Sequence, residues 1–196
     1  DSFMPILLKK FPYISYSFEG EQREQNENLE SLKNNYILSL LIVYILLAIP
    51  FRSYIQPLIV MSAIPFGIIG AVIGHLIFGM NFSILSTIGI VALSGVVVND
   101  SLVLVDFINR YTKAGYNINE AVIKAGRDRF RPILLTSITT FVGLMPLILE
   151  KSVQAQFLIP MAISLGFGVL FATFIILILV PNSVVLINKL QRYYTY

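Results

Sequence analysis

Five runs of apolar residues, at about 34–50, 55–79, 82–108, 132–149 and 157–187, occupy most of the 196-residue chain. Each is close to or above the roughly 20 residues that a helix needs to cross the hydrocarbon of a bilayer. Backbone N–H and C=O groups in lipid must be satisfied within their own segment, so runs of this length read as helices. Only 13% of the residues are charged, about half the share of an ordinary soluble domain. Mean hydropathy is +0.78. The sequence predicts an all-α membrane protein with about five transmembrane helices.

Prolines and short links punctuate the runs. Pro50 ends the first, and Pro57 sits in the first turn of the second, where a missing N–H costs little. Asn81 is placed to cap the third, Pro132 opens the fourth, and Pro160 and Pro181 bracket the fifth. Links 51–54 and 80–81 are so short that the runs they join are antiparallel neighbours. The 109–131 link is longer. Within it EAVIKAGRDRF, after Asn119, sets Val122, Ala125, Gly126 and Phe130 on one helical face and pairs Glu120 with Lys124. It reads as an amphipathic cytoplasmic interfacial helix over about 119–131.

Residues 1–33 differ in kind: they are polar and acidic. YISYSFEGEQREQ (13–25) alternates enough to read as a short strand, and NENLESLKNN (26–35) leads into a helix. This segment is expected to be the end of a periplasmic loop domain, with 34–196 a helix bundle. The N-terminus has no basic stretch leading an apolar core, so it is not a signal peptide, and the chain is expected to be the interior of a longer protein.

Charge sets the orientation. Arg52, Arg110, Lys113, Lys124, Arg127, Arg129, Arg131, Lys189 and Arg192 fall on one side of the bundle. Lys9, Lys10, Arg23, Lys33 and Lys151 fall on the other, with seven carboxylates against them. The positive-inside bias puts the N-terminal segment in the periplasm and the C-terminus in the cytoplasm of a bacterial inner membrane protein. The same placement explains the sequence pI near 9.1 without nucleic acid. The absence of Cys and the single His exclude disulfides, thiol nucleophiles and multi-His metal sites. No nucleophile–base pair can be assembled, so an enzyme is not expected, and neither is a cofactor.

One stretch breaks the apolar logic. GVVVNDSLVLVDFINR (95–110) carries Asn99 and Asp100 inside a span. A charged Asp at the bilayer centre costs roughly 2.5–3.5 kcal/mol on insertion scales. Asp100 lies eight residues from the cytoplasmic end of its run, roughly 12 Å deep at 1.5 Å per residue, too deep for its short side chain to reach the interface. It must face other helices or water, and a carboxylate held that way can load and release a proton. Asn99 serves either function or plain interhelical bonding. Ser94 and Ser101 are expected to bond backbone or neighbouring helices, and Asp106 to be solvated near the cytoplasmic mouth. LLTSITTF supplies Thr136, Ser137, Thr139 and Thr140, whose hydroxyls most simply bond carbonyls one turn back. Gly67, Gly70 and Gly74 permit close helix approach. His75 is expected to be structural.

Three stretches together resemble one family: IPFGIIGAVIGHLIFGMNFSILSTIGIVALSGVVVNDSLVLVDFINR, EAVIKAGRDRFRPILLTSITTFVGLMPLIL and EKSVQAQFLIPMAISLGFGVLFATFIILILVP. They are similar to the C-terminal membrane half of resistance–nodulation–division (RND) efflux transporters, in the hydrophobe/amphiphile drug-efflux branch. The resemblance implies that the five spans are the eighth to twelfth of a twelve-helix protomer. It implies an inner-membrane homotrimer that couples proton influx to export and works with a periplasmic adaptor and an outer-membrane channel. The remainder of the protomer, including its periplasmic domains, would hold the substrate. The family's proton relay pairs two acids on the fourth helix with a Lys on the tenth and a Thr and an Arg at the start of the eleventh. The Thr falls on Thr136 and the Arg on Arg129. The Lys falls on Asn99, a departure, and the position after it is Asp100. The resemblance therefore leaves three outcomes open: a proton relay built around Asp100, coupling to another ion or transport of lipids, or a scaffold that has lost the relay.

Overall fold

The computed structural model describes residues 21–194, and all regular structure among them is helical. The helices are α1 (Glu21–Phe51), α2 (Gln56–Met61), α3 (Ile64–Phe78), α4 (Ile84–Lys113), α5 (Ile118–Ile148), α6 (Val153–Gln156) and α7 (Ile159–Tyr194). Five stretches are long and apolar enough to cross a membrane: Asn28–Phe51, Gln56–Phe78, Ile84–Lys113, Ile118–Ile148 and Ile159–Gln191. The chain divides into two compact units, 1–37 and 38–196. The described part of the first is the opening of α1. The strand expected over 13–25 lies mostly outside the described residues, and its last five residues are helical.

The second unit is built around α7, which packs against α3, α4 and α5. Small residues allow it. A Cβ on Gly70 of α3 would lie 2.5 Å from Phe171 Cβ and 2.8 Å from the Phe167 carbonyl, and one on Gly168 would meet Leu93 of α4 at 2.4 Å. A Cβ on Gly89 would lie 2.6 Å from the Met161 carbonyl. These contacts pair residue 89 with 161 and 93 with 168, so α4 and α7 run parallel, with α3 antiparallel to both. Leu93, Val97, Leu104 and Ile108 of α4 and Val169, Ala172 and Ile176 of α7 form the buried core.

Several boundaries differ from those expected, each for a local reason. The run 55–79 breaks at Ser62–Ala63 into α2 and α3. Pro65, in the first turn of α3, has no N–H to continue the ladder from α2. The expected interfacial helix and fourth span are one helix, α5, which continues through Pro132. A proline inside a helix costs about 3 kcal/mol, and the burial of Ala121, Ala125 and Ile133 against the core offsets it. The buried face of that first half is Ala121 and Ala125, whereas Phe130 is 52% exposed. Lys124 lies over the Tyr116 ring at 3.7 Å and within 6.0 Å of the Tyr111 ring, and forms no ion pair with Glu120. Between α5 and α6 the backbone N–H groups of Ser152 and Lys151 donate to Glu150 and hold its pKa below the usual carboxylate range.

The cap of α4 is Ser83, not Asn81. Ser83 Oγ accepts from the Ser86 N–H at 3.3 Å, and Ser86 Oγ accepts from the Ser83 N–H at 3.0 Å, a reciprocal box with Ser in place of Glu. Ser86 Oγ also lies 2.8 Å from His75 Nε2, while His75 Nδ1 lies 2.9 Å from the Ala71 carbonyl. A carbonyl can only accept, so Nδ1 carries the proton and Ser86 donates to Nε2. His75 is thus the structural tie expected of it, joining the ends of α3 and α4. Ser86→Ala leaves a buried imidazole nitrogen unpartnered and removes half of the box, which should destabilise the fold by about 1–3 kcal/mol. A lowered thermal midpoint in detergent, with helix content unchanged, checks this.

Candidate functional site

The site is built on α4, whose thirty residues span about 45 Å. Its last turn, with Arg110 and Lys113, therefore projects beyond a hydrocarbon layer of about 30 Å. Asp100 lies thirteen residues from that end, on the face that packs inward. It is 7% exposed, and its α4 neighbours Val97, Ser101 and Leu104 are 1%, 0% and 0% exposed. Among the described residues no hydrogen bond or ion pair is recorded to its carboxylate, and the buried Ser101 Oγ beside it has no partner either. Asp100 and Ser101 are thus two adjacent buried polar residues with no hydrogen bond to another group among the described residues. A buried carboxylate in a membrane helix is a group able to load and release a proton.

Asn99 follows the helical turn of about 100° to a different side and is exposed. It shares its face with Gly95, where an added Cβ would meet no atom of another helix within 4 Å. Thr136 of α5 is also exposed, and its hydroxyl donates to the Pro132 carbonyl at 2.8 Å. Thr139 and Thr140 likewise donate to carbonyls one turn back, at 2.8 Å each. The hydroxyls of LLTSITTF are therefore satisfied within their own helix, the simpler of the two expectations. Asn99 and Thr136 lie on open faces while Asp100 is enclosed.

Arg129 stands apart from all three. Its guanidinium carbon is 3.6 Å from the centroid of the Phe107 ring, and its Nε is buried without a partner. Phe107 is two helical turns past Asp100, about 10 Å along the axis. Asp106 pairs with Arg110 at 2.8 Å, one turn apart, and both side chains remain exposed to solvent in part, as expected of Asp106.

Two polar features escaped the sequence reading. Ser101 was expected to find a hydrogen-bond partner and has none. Ser137 and Thr173, both buried, join α5 to α7 by a hydroxyl–hydroxyl bond. Thr173 is the sole hydroxyl between Ser164 and Ser183, and a helical-period count of α7 would have put it on the same face as Val169 and Ile176.

Residues 6–188 match the model of the AcrB/AcrD/AcrF family. The multidrug resistance protein MdtC of Serratia proteamaculans (strain 568) is 31% identical over 176 residues, which is 89% of this chain and 17% of that protein. MdtC of Proteus mirabilis (strain HI4320) is 33% identical over 166 residues, 84% of this chain and 16% of that protein. Among solved structures, a heavy metal efflux pump superposes with a TM-score of 0.78 at 25% identity, covering 96% of this chain and 19% of the pump. The chain thus spans less than a fifth of the length of these relatives.

Proposed function

The chain belongs to the AcrB/AcrD/AcrF family of RND efflux transporters, and from that premise we propose that it forms the C-terminal membrane half of a proton-driven pump subunit exporting hydrophobic or amphiphilic compounds. The observation that carries this reading is Asp100, a carboxylate buried in the middle of a membrane helix with no hydrogen bond or ion pair to the described residues. Loading a proton there neutralises a charge the core does not stabilise. Releasing it restores that charge and favours any rearrangement that brings water or a cation to the group. Proton occupancy and helix packing are then linked, which is what coupling requires.

The other residues take supporting roles. Asn99, on the open face of α4, donates and accepts hydrogen bonds toward the acids of the remaining helices and replaces the cation that family members carry there. Thr136 offers its hydroxyl from the same kind of open face. Arg129, against Phe107, is a cytoplasmic-side gating or relay group. Cargo selection is assigned to periplasmic domains, since relatives described as multidrug and heavy-metal exporters share this membrane architecture. The assembly is a homotrimer in the inner membrane, with its N-terminal segment periplasmic, engaging an adaptor and an outer-membrane channel.

Asn99 at the Lys position favours one rival, coupling to another ion. Reconstituted transporter given either a pure proton gradient or a pure sodium gradient separates the two. Proton coupling predicts uptake of a fluorescent amphiphile into inverted proteoliposomes with the first gradient alone; a sodium requirement would refute it.

A further inference from the structure

Between Glu30 and Asp100 the sequence contains no carboxylate, yet Arg52 stands in the middle of that stretch. It follows α1 immediately, and it is the one non-glycine residue with a positive φ, 49°, among those described. This left-handed conformation is strained for any L-residue, and Gly would adopt it freely. The turn by itself therefore does not call for Arg. The chain then doubles back along α1: Tyr44 donates its hydroxyl to the Tyr54 carbonyl at 3.0 Å, and Ser53 Oγ accepts from the Ile55 N–H at 3.3 Å. A cleft of about 440 Å³ remains between them. Ile45, Ala48 and Ile49 form its wall, and Arg52, Ser53 and Tyr54 its rim.

The depth of this cleft is fixed by a pair of hydrogen bonds between side-chain amides. Gln56 donates to Asn109 at 3.1 Å and accepts from it at 2.8 Å. Asn109 adjoins Arg110 in the basic last turns of α4, so Arg52 lies at the same end of the bundle. Ile45 and Ile49 are 50% and 69% exposed and Tyr54 is 80% exposed. An apolar wall, an interfacial tyrosine and a cation with no ion-pair partner among the described residues meet at one level of the membrane, the arrangement that accepts an acyl chain below and a phosphate above.

We propose that this cleft binds one anionic phospholipid, its phosphate receiving hydrogen bonds from the Arg52 guanidinium and the Ser53 hydroxyl and its acyl chain lying along Ile45, Ala48 and Ile49. The net negative headgroup is favoured because no acid among the described residues pairs with Arg52, whereas a zwitterionic headgroup brings its own ammonium to the cation. Placing the lipid in the cytoplasmic leaflet rests on the orientation proposed above; the site itself does not.

The test uses the full-length transporter, delipidated in mild detergent and titrated with phosphatidylglycerol or phosphatidylethanolamine of matched chains, with binding followed by native mass spectrometry. Wild type should prefer phosphatidylglycerol by about fivefold, the ratio that one interfacial cation supplies. Arg52→Gly relieves the backbone strain and removes the cation, so it should fold at least as well and lose that preference. An unchanged preference in Arg52→Gly, or none in wild type, overturns the proposal. Displacement of the lipid by inorganic phosphate would make this a free-anion site instead. A spin label at Ile49→Cys shielded from lipid-dissolved oxygen would show protein, not lipid, filling the cleft. Loss of proton coupling leaves all these readouts unmoved.

Discussion

Asp100→Asn is expected to reduce efflux of a fluorescent amphiphile to the background of cells lacking the transporter, with membrane abundance and oligomeric state unchanged. Asn keeps the shape of the side chain and removes its titratable proton, so the substitution separates charge from packing. A helix interior that tolerates a neutral carboxyl group tolerates an amide of the same size. Each 1.4 kcal/mol lost from a coupled step lowers its rate about tenfold, and removing the group that carries the proton removes the coupled step itself. Asp106→Asn, at the exposed end of α4 and already paired with Arg110, should lower efflux by no more than about fivefold, since exposed pairs contribute roughly 0–1 kcal/mol. Equal effects from the two substitutions would show that any carboxylate on α4 serves and would remove Asp100 from its special place.

Gly70→Val carries the second large effect, on folding rather than coupling. The added Cβ would lie 2.5 Å from Phe171 Cβ and 2.8 Å from the Phe167 backbone oxygen, so no rotamer change relieves it and α3 must move away from α7. Overpacking of this kind costs roughly 1–3 kcal/mol, and the two further methyls of Val place the substitution at the upper end. α7 also holds α4 and α5, so the loss spreads through the unit and should appear as reduced membrane abundance and a lower thermal midpoint. Gly126 in α5 is the control: no atom lies within 4 Å of its Cβ position. Gly126→Ala should be neutral or stabilise by about 0.5–1 kcal/mol, because it removes backbone entropy from a helix. Similar losses at both positions would contradict the packing described for α3 and α7.

The number of spans was legible because hydrocarbon forces long apolar helices, and length alone identifies them. Gly67, Gly70 and Gly74 were legible as a packing stripe for the same reason: in lipid, small residues mark close approach. Boundaries depended on competitions that local signals do not decide. Pro132 reads as a start, yet tertiary burial of Ala121, Ala125 and Ile133 carries α5 through it. Pro65 reads as one more residue of a long span, yet it ends the hydrogen-bond ladder from α2. The cap moved from Asn81 to Ser83 because Ser86 answers it three residues on, a box written with Ser where Glu or Gln is usual. Within the site, the depth of Asp100 followed from counting residues, whereas its isolation did not. Whether a buried carboxylate has a partner depends on which side chains the other helices bring, and that is a property of packing.

The most direct measurement is substrate-driven proton movement in proteoliposomes of the full-length transporter, with a pH-sensitive dye on the far side of the membrane. The account predicts a pH change that begins on addition of an amphiphilic substrate, vanishes with a protonophore, and is absent from Asp100→Asn protein of equal purity and oligomeric state. Substrate-dependent proton flux in Asp100→Asn at the wild-type rate would contradict it, and would place the proton carrier on a residue other than the enclosed carboxylate of α4.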